Sequence, residues 1–205
     1  MDDPIPIQLA VEDKLSETIV RSILKQSGQI FSVGCSYCRS GFGYLKKTIK
    51  GFNNAAKGTP FIVLTDLDCA ECAPALVDDW LKGPKHHNLL FRVAVRKVEA
   101  WVLADRTAFA RFLGIKRESL PARPDELDDP KGTLIDLAGT SRRRSLREGI
   151  VPKCGSTAKI GPDYTGTLGR FIDSYWDVQR AKRNSPSLRR AYKAIRGFEP
   201  ILAKR

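Results

Sequence analysis

Residues 60–68 read Pro-Phe-Ile-Val-Leu-Thr-Asp-Leu-Asp, and this stretch decides the fold class. Its apolar and β-branched run predicts a buried strand that ends where the aspartates begin. Similar runs predict three more strands, at residues 5–11, 30–33 and 89–95. Helical patterns lie between or after these runs, at residues 15–25, 44–56, 74–81 and 98–113. Strands that alternate with helices predict an α/β fold with a mainly parallel four-stranded sheet flanked by helices.

The pattern changes after Gly114. Prolines interrupt an acidic loop, and the glycine-rich basic residues 141–169 predict another loop. Short helices are expected at residues 133–137, 168–182 and 187–196, with no strand among them. We therefore expect an α/β domain at residues 1–115 and a basic helical and loop extension at residues 116–205 that packs on it.

The positive charge is concentrated in the second half of the chain. The net charge is +12. Residues 1–100 hold 13 Lys/Arg against 11 Asp/Glu, whereas residues 101–205 hold 22 against 12. Such a field attracts polyanions, so DNA or RNA is the predicted partner, with an anionic membrane surface or simple solubility as alternatives.

Two basic stretches are the predicted phosphate contacts. No acidic residue occurs from Arg180 to Arg196, although a solvated helix face normally mixes both signs of charge. The predicted nucleic-acid-binding residues are Arg142, Arg143, Arg144, Lys153, Arg180, Lys182, Arg183, Arg189 and Arg190. Nearby aromatic residues either stack on bases or belong to the core, namely Tyr175, Trp176 and Tyr192.

Rare residues exclude several classes of protein. The only histidines are His86 and His87, so a Ser-His-Asp triad, a zincin helix and an HNH nuclease are excluded. No Gly-Lys-Ser/Thr sequence closes a phosphate-binding P-loop. The absence of a long apolar run predicts no membrane span, and the acidic start at Asp2 and Asp3 predicts no signal peptide. A cytoplasmic location is therefore expected.

Carboxylates follow three of the predicted strands. Glu12 follows the first strand, Asp66 and Asp68 the third, and Glu99 the fourth. The carboxyl ends of parallel strands meet at one edge, and alternate residues of an extended segment point the same way. Four neighbouring carboxylates would repel one another unless a cation such as Mg²⁺ lies among them. Ordinary turn residues or helix N-caps are the alternative interpretation.

These residues resemble a known family. A glutamate after the first strand, a basic helix and an apolar strand closing in Asp-x-Asp resemble the Toprim domain of topoisomerases, bacterial primases, a ribosomal-RNA maturase and the overcoming-lysogenization-defect nucleases. Residues 96–105, Arg-Lys-Val-Glu-Ala-Trp-Val-Leu-Ala-Asp, are similar to a signature of uncharacterised bacterial Toprim-like proteins that are often encoded beside ATPases. The resemblance covers residues 5–113.

The resemblance implies a nuclease that depends on Mg²⁺ or Mn²⁺. Glu12 would be a metal ligand or general acid/base, Asp66 and Asp68 would hold the metal, and Glu99 would complete a second metal position. Lys159, or less readily Lys153, would neutralise transition-state charge, unless it is only a solvated loop lysine. The protein would cut DNA or RNA, as the effector of an antiviral defence system with a separately encoded ATPase subunit.

The sequence departs from the Toprim pattern in two places. Asp13 follows the glutamate where a small residue is common, and Glu71 stands where glycine is usual. Two other functions therefore stay open. One is a nucleic-acid-binding or assembly subunit with a vestigial metal site, and the other is a primase-like nucleotidyltransferase.

Two CxxC pairs predict a structural zinc site as one alternative. The pairs are Cys35 with Cys38 and Cys69 with Cys72, and both follow strands at the same predicted edge. Their separation exceeds the usual zinc-ribbon spacing. Reduced cysteines, with Cys154 left over, are the alternative, and a redox role is a weaker one.

Overall fold

The structure has one sheet of four parallel strands. It is a computed structural model that describes residues 3–38 and 42–202. The strands are β1 (Ile5–Val11), β2 (Phe31–Cys38), β3 (Phe61–Asp66) and β4 (Leu89–Ala94). Their order is β2-β1-β3-β4, and each neighbouring pair is parallel. The predicted α/β class and parallel sheet are therefore confirmed, and the carboxyl ends of the strands lie along one edge.

Three helices in the first part of the chain pack on this sheet. They are α1 (Lys14–Lys25), α2 (Phe42–Ala55) and α3 (Ala73–Leu81). Apolar residues of α2 and α3 form one buried cluster with alternate residues of the strands, among them Ala10, Val63, Phe91, Ile49, Phe52 and Trp80. The α1 helix buries Leu15, Ile19 and Ile23, which recur at helical spacing. The predicted bounds of these three helices lie within two residues of the observed ends.

The rest of the described chain is helical. Its elements are α4 (Val98–Ala104), α5 (Arg106–Leu113), α6 (Pro130–Gly139), α7 (Arg144–Ile150), α8 (Tyr164–Ser174), α9 (Val178–Ala181) and α10 (Pro186–Arg196), with 3-10 turns at Arg117–Ser119 and Pro124–Glu126. The described residues beyond 116 include no strand, as the sequence predicts. Within the described residues, no helix combines the length and the apolar character needed to cross a bilayer.

The chain divides into two compact units, but not at the predicted position. The first unit is Met1–Val95 with Arg190–Arg205, and the second is Arg96–Arg189. We predict the division at residue 115, which would leave α4 and α5 with the sheet. Instead, the apolar side chains of α4 and α5 pack in the helical unit, where the Phe109 ring centroid lies 5.0 Å from that of Phe171.

Local polar contacts correct other predicted boundaries. The predicted loop 34–43 contains the end of β2, and residues 39–41 lie outside the described chain. At Gly34 the register between β1 and β2 shifts, and the Gln8 side chain accepts a hydrogen bond from the backbone N of Cys35 at 2.5 Å. An added Cβ at Gly34 would lie 2.7 Å from the Gln8 amide, so a larger residue there would displace the Gln8 side chain that binds Cys35.

The helix predicted at 98–113 is two helices. Asp105 adopts a non-helical conformation between them, and its carboxylate caps α5 by accepting from the backbone N of Ala108 at 3.3 Å. The predicted loop 141–169 is also wrong in part, because it contains α7 and the start of α8. The glycine content is typical of a loop, but Gly149 and Gly166 lie inside these helices.

Candidate functional site

Glu12 lies at the point where the strand order of the sheet reverses. The chain leaves β1 toward β2 on one side, and β3 and β4 lie on the other side. Ligands of open α/β sheets bind in the crevice beyond the strand ends at such a switch point. Oε1 of Glu12 accepts hydrogen bonds from the Thr65 hydroxyl and, at 3.0 Å, from the backbone N of Asp66. The Glu12 carboxylate therefore connects the ends of β1 and β3.

The environment of Glu12 disfavours its negative charge. Burial raises the pKa of Glu12 above its ordinary value, and the nearby charges of Asp68 and Asp13 act in the same direction. The hydrogen bonds from Thr65 and Asp66 lower it, but they do not outweigh burial. No basic side chain of a described residue forms an ion pair with Glu12. A proton or a cation would relieve this unfavourable charge.

Asp66 and Asp68 flank the turn that follows β3. Asp66 is the last residue of the strand, and Asp68 has a φ of 47°, in the left-handed region that aspartate tolerates better than most residues. The prediction that the backbone is extended from Asp66 to Asp68 is therefore wrong at Asp68. The turn is fixed by the backbone N of Leu67, which donates to Ala94 O at 2.9 Å, and both aspartates stay partly exposed.

Asp13 has a structural role beside this site. Its side chain caps α1 by accepting a hydrogen bond from the backbone N of Ser16 at 2.8 Å. The alternative interpretation of carboxylates after strands, as helix caps, therefore holds for Asp13. It leaves Glu12, Asp66 and Asp68, which we call the edge carboxylates, as the candidate ligands.

The edge carboxylates fit a hard cation by their chemistry. All three offer oxygen atoms, and Mg²⁺ in proteins commonly takes one or two carboxylates together with water and substrate phosphates. Among the described residues, however, no three His, Cys, Asp or Glu side chains are grouped closely enough to form a ready-made metal cage. If these residues hold a cation, phosphate oxygens and water would have to fill most of its coordination positions.

An open cleft beside Asp68 is a feature that the sequence does not reveal. It has a volume of about 540 Å³, and its lining includes Asp68, Cys69 and Trp80. Lys46 and Asp79 also line it and form an ion pair of 2.8 Å, which lowers the pKa of Asp79. Thr65, the buried donor to Glu12, is the other residue that sequence reasoning missed. In the sequence, only its position directly before Asp66 could have indicated a role for Thr65 at this site.

Glu99 lies in the second unit, at the start of α4. Its side chain is almost fully buried, and Oε1 accepts from the Tyr164 hydroxyl at 3.0 Å and from Lys131 Nζ at 3.2 Å. Its Oε2 is buried without a hydrogen-bond partner. Glu99 thus has a cationic partner from its own unit, and its predicted role at a second metal stays a prediction.

The two predicted catalytic lysines lie between α7 and α8. Lys153 and Lys159 are both exposed, and neither ammonium group has an ion pair with a residue that the structure describes. Gly155 has a φ of 76°, so the segment turns between them. These observations fit a solvated loop lysine, and the predicted role of Lys159 stays a prediction.

The cysteines show no zinc geometry. Cys35 and Cys38 belong to β2, whereas Cys69 lies in the turn after β3 and Cys72 precedes α3. All are free thiols, as is Cys154, and no three of them are grouped as metal ligands within the described residues. The CxxC zinc prediction therefore gains no support.

The predicted phosphate-binding residues differ in their surroundings. Arg180 binds the buried Asp105 through Nε at 3.0 Å and Nη2 at 2.8 Å, and it also pairs with Asp177. Arg144 pairs with Glu148 at 2.7 Å. Several others are exposed, namely Arg142, Arg143, Lys153, Arg183, Arg189 and Arg190, and Lys182 is partly exposed. Arg180 is thus a structural anchor of the helical unit.

The aromatic residues divide between core and surface. Trp101, Trp176 and Tyr192 are buried, and the Trp101 indole donates to Ser187 at 2.7 Å. Tyr175 is 59% exposed.

Comparisons with protein-family models, curated proteins and solved structures find no match.

Proposed function

We propose that the protein is a divalent-metal-dependent nuclease whose site is the edge carboxylates, Glu12, Asp66 and Asp68. The observation that carries the proposal is the state of Glu12. Its carboxylate lies at the switch point of a parallel sheet, near Asp68, and burial raises its pKa without a basic partner among the described residues. Perturbed carboxylates in such a crevice are characteristic of functional sites.

The edge carboxylates would have two different roles. Asp66 and Asp68 are partly exposed at the mouth of the crevice, where they would hold Mg²⁺ or Mn²⁺. The metal, when bound, supplies charge neutralisation at the phosphate and activation of water. Glu12, with its raised pKa, would either join the metal or hold the proton that is exchanged with the reacting oxygen.

The charge of the chain supports a nucleic-acid substrate. A net charge of +12 would attract DNA or RNA, and Arg142, Arg143, Arg189 and Arg190 are exposed for contacts with phosphates. The resemblance to Toprim-like nucleases adds the proposal of a cytoplasmic defence effector that works with a separate ATPase subunit. A structural zinc ion at the CxxC pairs has no support beyond their spacing.

A cleavage assay tests this proposal. Plasmid DNA and total RNA are incubated with the protein in EDTA, Mg²⁺ or Mn²⁺, and binding is measured in parallel. We expect cutting in a divalent metal, loss of cutting in Asp66→Ala and retained binding. Asp13→Asn is the matched control, because it removes the same charge while asparagine still caps α1.

A non-catalytic nucleic-acid-binding subunit is the second candidate. It is favoured by the absence of three grouped metal ligands in the part of the chain that the structure describes. Wild-type protein that binds nucleic acid but cuts neither substrate in either metal would favour this candidate. Equal cutting by wild type and Asp66→Ala would reject a nuclease centred on the edge carboxylates.

A further inference from the structure

A second cleft, within the helical unit, combines aromatic rings with arginines. It has a volume of about 430 Å³. Its lining includes Arg111 and Phe112 of α5, Arg143 before α7, and Tyr175 and Arg180 around the start of α9. The volume lies in the range of small-molecule sites, which is about 300–1,000 Å³. We call this site the arginine–tyrosine cleft.

One wall of the cleft is a supported aromatic surface. The Tyr175 ring centroid lies 6.0 Å from that of Phe112, which lies 5.1 Å from that of Phe171. The backbone of Tyr175 is held on both sides, because its N donates to Phe171 O and its O accepts from Arg180, both at 2.9 Å. Tyr175 is nevertheless 59% exposed. A ring held in place at the surface of a cleft is a stacking platform.

The cations of the cleft are of two kinds. Arg180 is neutralised by Asp105 and Asp177, so it shapes the cleft and adds little free charge. Arg111 and Arg143 are exposed, and neither guanidinium forms an ion pair with a residue of the described chain. The Tyr175 ring provides a planar surface, and the two guanidinium groups beside it provide a site for an anion.

We propose that the arginine–tyrosine cleft binds one unstacked nucleotide, with the base on Tyr175 and the phosphate between Arg111 and Arg143. Base–aromatic stacking accepts any base, and arginines hold phosphate oxygens in a fork. The cleft has room for a single nucleotide but not for a duplex. This inference does not depend on cleavage at the edge carboxylates, which belong to the other unit.

Calorimetric titration of the full chain in EDTA tests the inference without any metal chemistry. The probes are AMP as a free nucleotide, a short single-stranded oligoadenylate, adenosine, inorganic phosphate and a blunt-ended duplex. We expect AMP or the oligoadenylate to bind at least about tenfold more tightly than adenosine or phosphate alone. Binding of AMP would indicate a free nucleotide as ligand, and binding of the oligoadenylate alone would indicate a nucleotide within a strand.

Variants separate the cleft from the general positive field. Tyr175→Ala should weaken binding about tenfold, whereas Tyr175→Phe should retain it. Arg143→Ala should weaken binding, but Arg117→Ala, which removes the same charge from an exposed arginine of the same unit that does not line the cleft, should not. Thermal unfolding confirms that each variant folds.

Three results would overturn the inference. The first is no binding of AMP or oligoadenylate by the folded wild-type protein. The second is equal weakening by Arg117→Ala and Arg143→Ala together with an unaffected Tyr175→Ala, because a diffuse field would explain it. The third is a loss of duplex binding in Tyr175→Ala as large as its loss of single-strand binding, because a duplex cannot place a base on Tyr175.

Discussion

Glu12 and Glu99 occupy similar places in the sequence but different environments in the structure. Each follows a strand of the sheet, and the sequence predicts both as metal ligands. Glu12 accepts hydrogen bonds from Thr65 and from the backbone of Asp66, and it has like charges as neighbours. Glu99 accepts from Lys131 and Tyr164 and is almost fully buried.

The difference lies in where the compensating charge comes from. A buried carboxylate is costly unless a positive group or a proton neutralises it. Lys131 supplies that group for Glu99 within its own unit. For Glu12 the described chain supplies none, and burial raises the pKa of its carboxyl group. A carboxylate that no basic side chain of the described residues neutralises is the better candidate for binding a cation from solution.

The largest expected effect concerns cleavage. Glu12→Gln should lower the rate of nucleic-acid cleavage in Mg²⁺ by about 10²–10³-fold, as removal of an acid/base group commonly does. Glu99→Gln keeps the hydrogen bond to Tyr164 and should lower the rate far less. Single-turnover rates of the two variants measure the ratio. Equal losses in both variants would contradict the assignment of catalysis to Glu12 and not to Glu99.

The next effect concerns stability. Lys131→Met leaves Glu99 buried without its cation and should lower the free energy of unfolding by about 2 kcal/mol, less than for a fully buried pair because Lys131 is itself partly exposed. The double variant with Glu99→Gln should recover most of this loss, since no uncompensated charge remains. Urea unfolding of the single and double variants gives both values. A double variant no more stable than Lys131→Met would show that the lysine acts through packing on Tyr164.

The pH dependence of stability sharpens the comparison at Glu12. Its pKa in the folded protein is raised above the ordinary 4.5, so the folded chain binds this proton more tightly than the unfolded chain. The resulting stabilisation is present below pH 4.5 and is lost as the pH rises through the folded pKa. In EDTA, the wild-type protein should therefore lose stability relative to Glu12→Gln between about pH 4 and neutrality. If the difference in the free energy of unfolding between wild type and Glu12→Gln stays constant across this range, the charge of Glu12 is not unfavourable in the folded protein.

The smallest expected effect comes from Thr65. Thr65→Val preserves the shape of a buried side chain but removes the hydroxyl donor to Glu12, which should cost about 1 kcal/mol of stability at neutral pH. The loss should shrink at acidic pH, where Glu12 is protonated. The same loss at both pH values would mean that the hydroxyl does not support the charged carboxylate.

The sequence predicts the fold well where periodicity dominates. The strand at residues 60–65 and the helix at 15–25 follow from apolar spacing, because burial of an apolar face fixes each element. Pro74 correctly marks the first turn of the helix predicted at 74–81. Prediction from the sequence fails where a single polar contact decides, as at Asp105, which divides a continuous helical pattern by capping α5. The position of the unit boundary also depends on long-range packing of α4 and α5, which no local pattern contains.

The candidate site is predictable in part. Parallel topology alone brings Glu12 and Asp66 to one edge, and the hydrogen bond between them agrees with that expectation. The sequence does not show that Asp68 would turn into the left-handed region, nor that Lys131 would neutralise Glu99. Tertiary contacts between residues far apart in the chain determine both the cleft of Arg111 and Tyr175 and the partner of Glu99.

Binding of Mn²⁺ to the metal-free protein, followed by electron paramagnetic resonance, tests whether the edge carboxylates hold a divalent cation. We expect wild type and Asp13→Asn to bind Mn²⁺ alike, because Asp13 caps α1 and is no ligand. Asp66→Asn and Glu12→Gln should bind it much more weakly. Unchanged binding in Asp66→Asn and Glu12→Gln, or no binding by the folded wild-type protein with nucleic acid present, would contradict a metal site at the edge carboxylates.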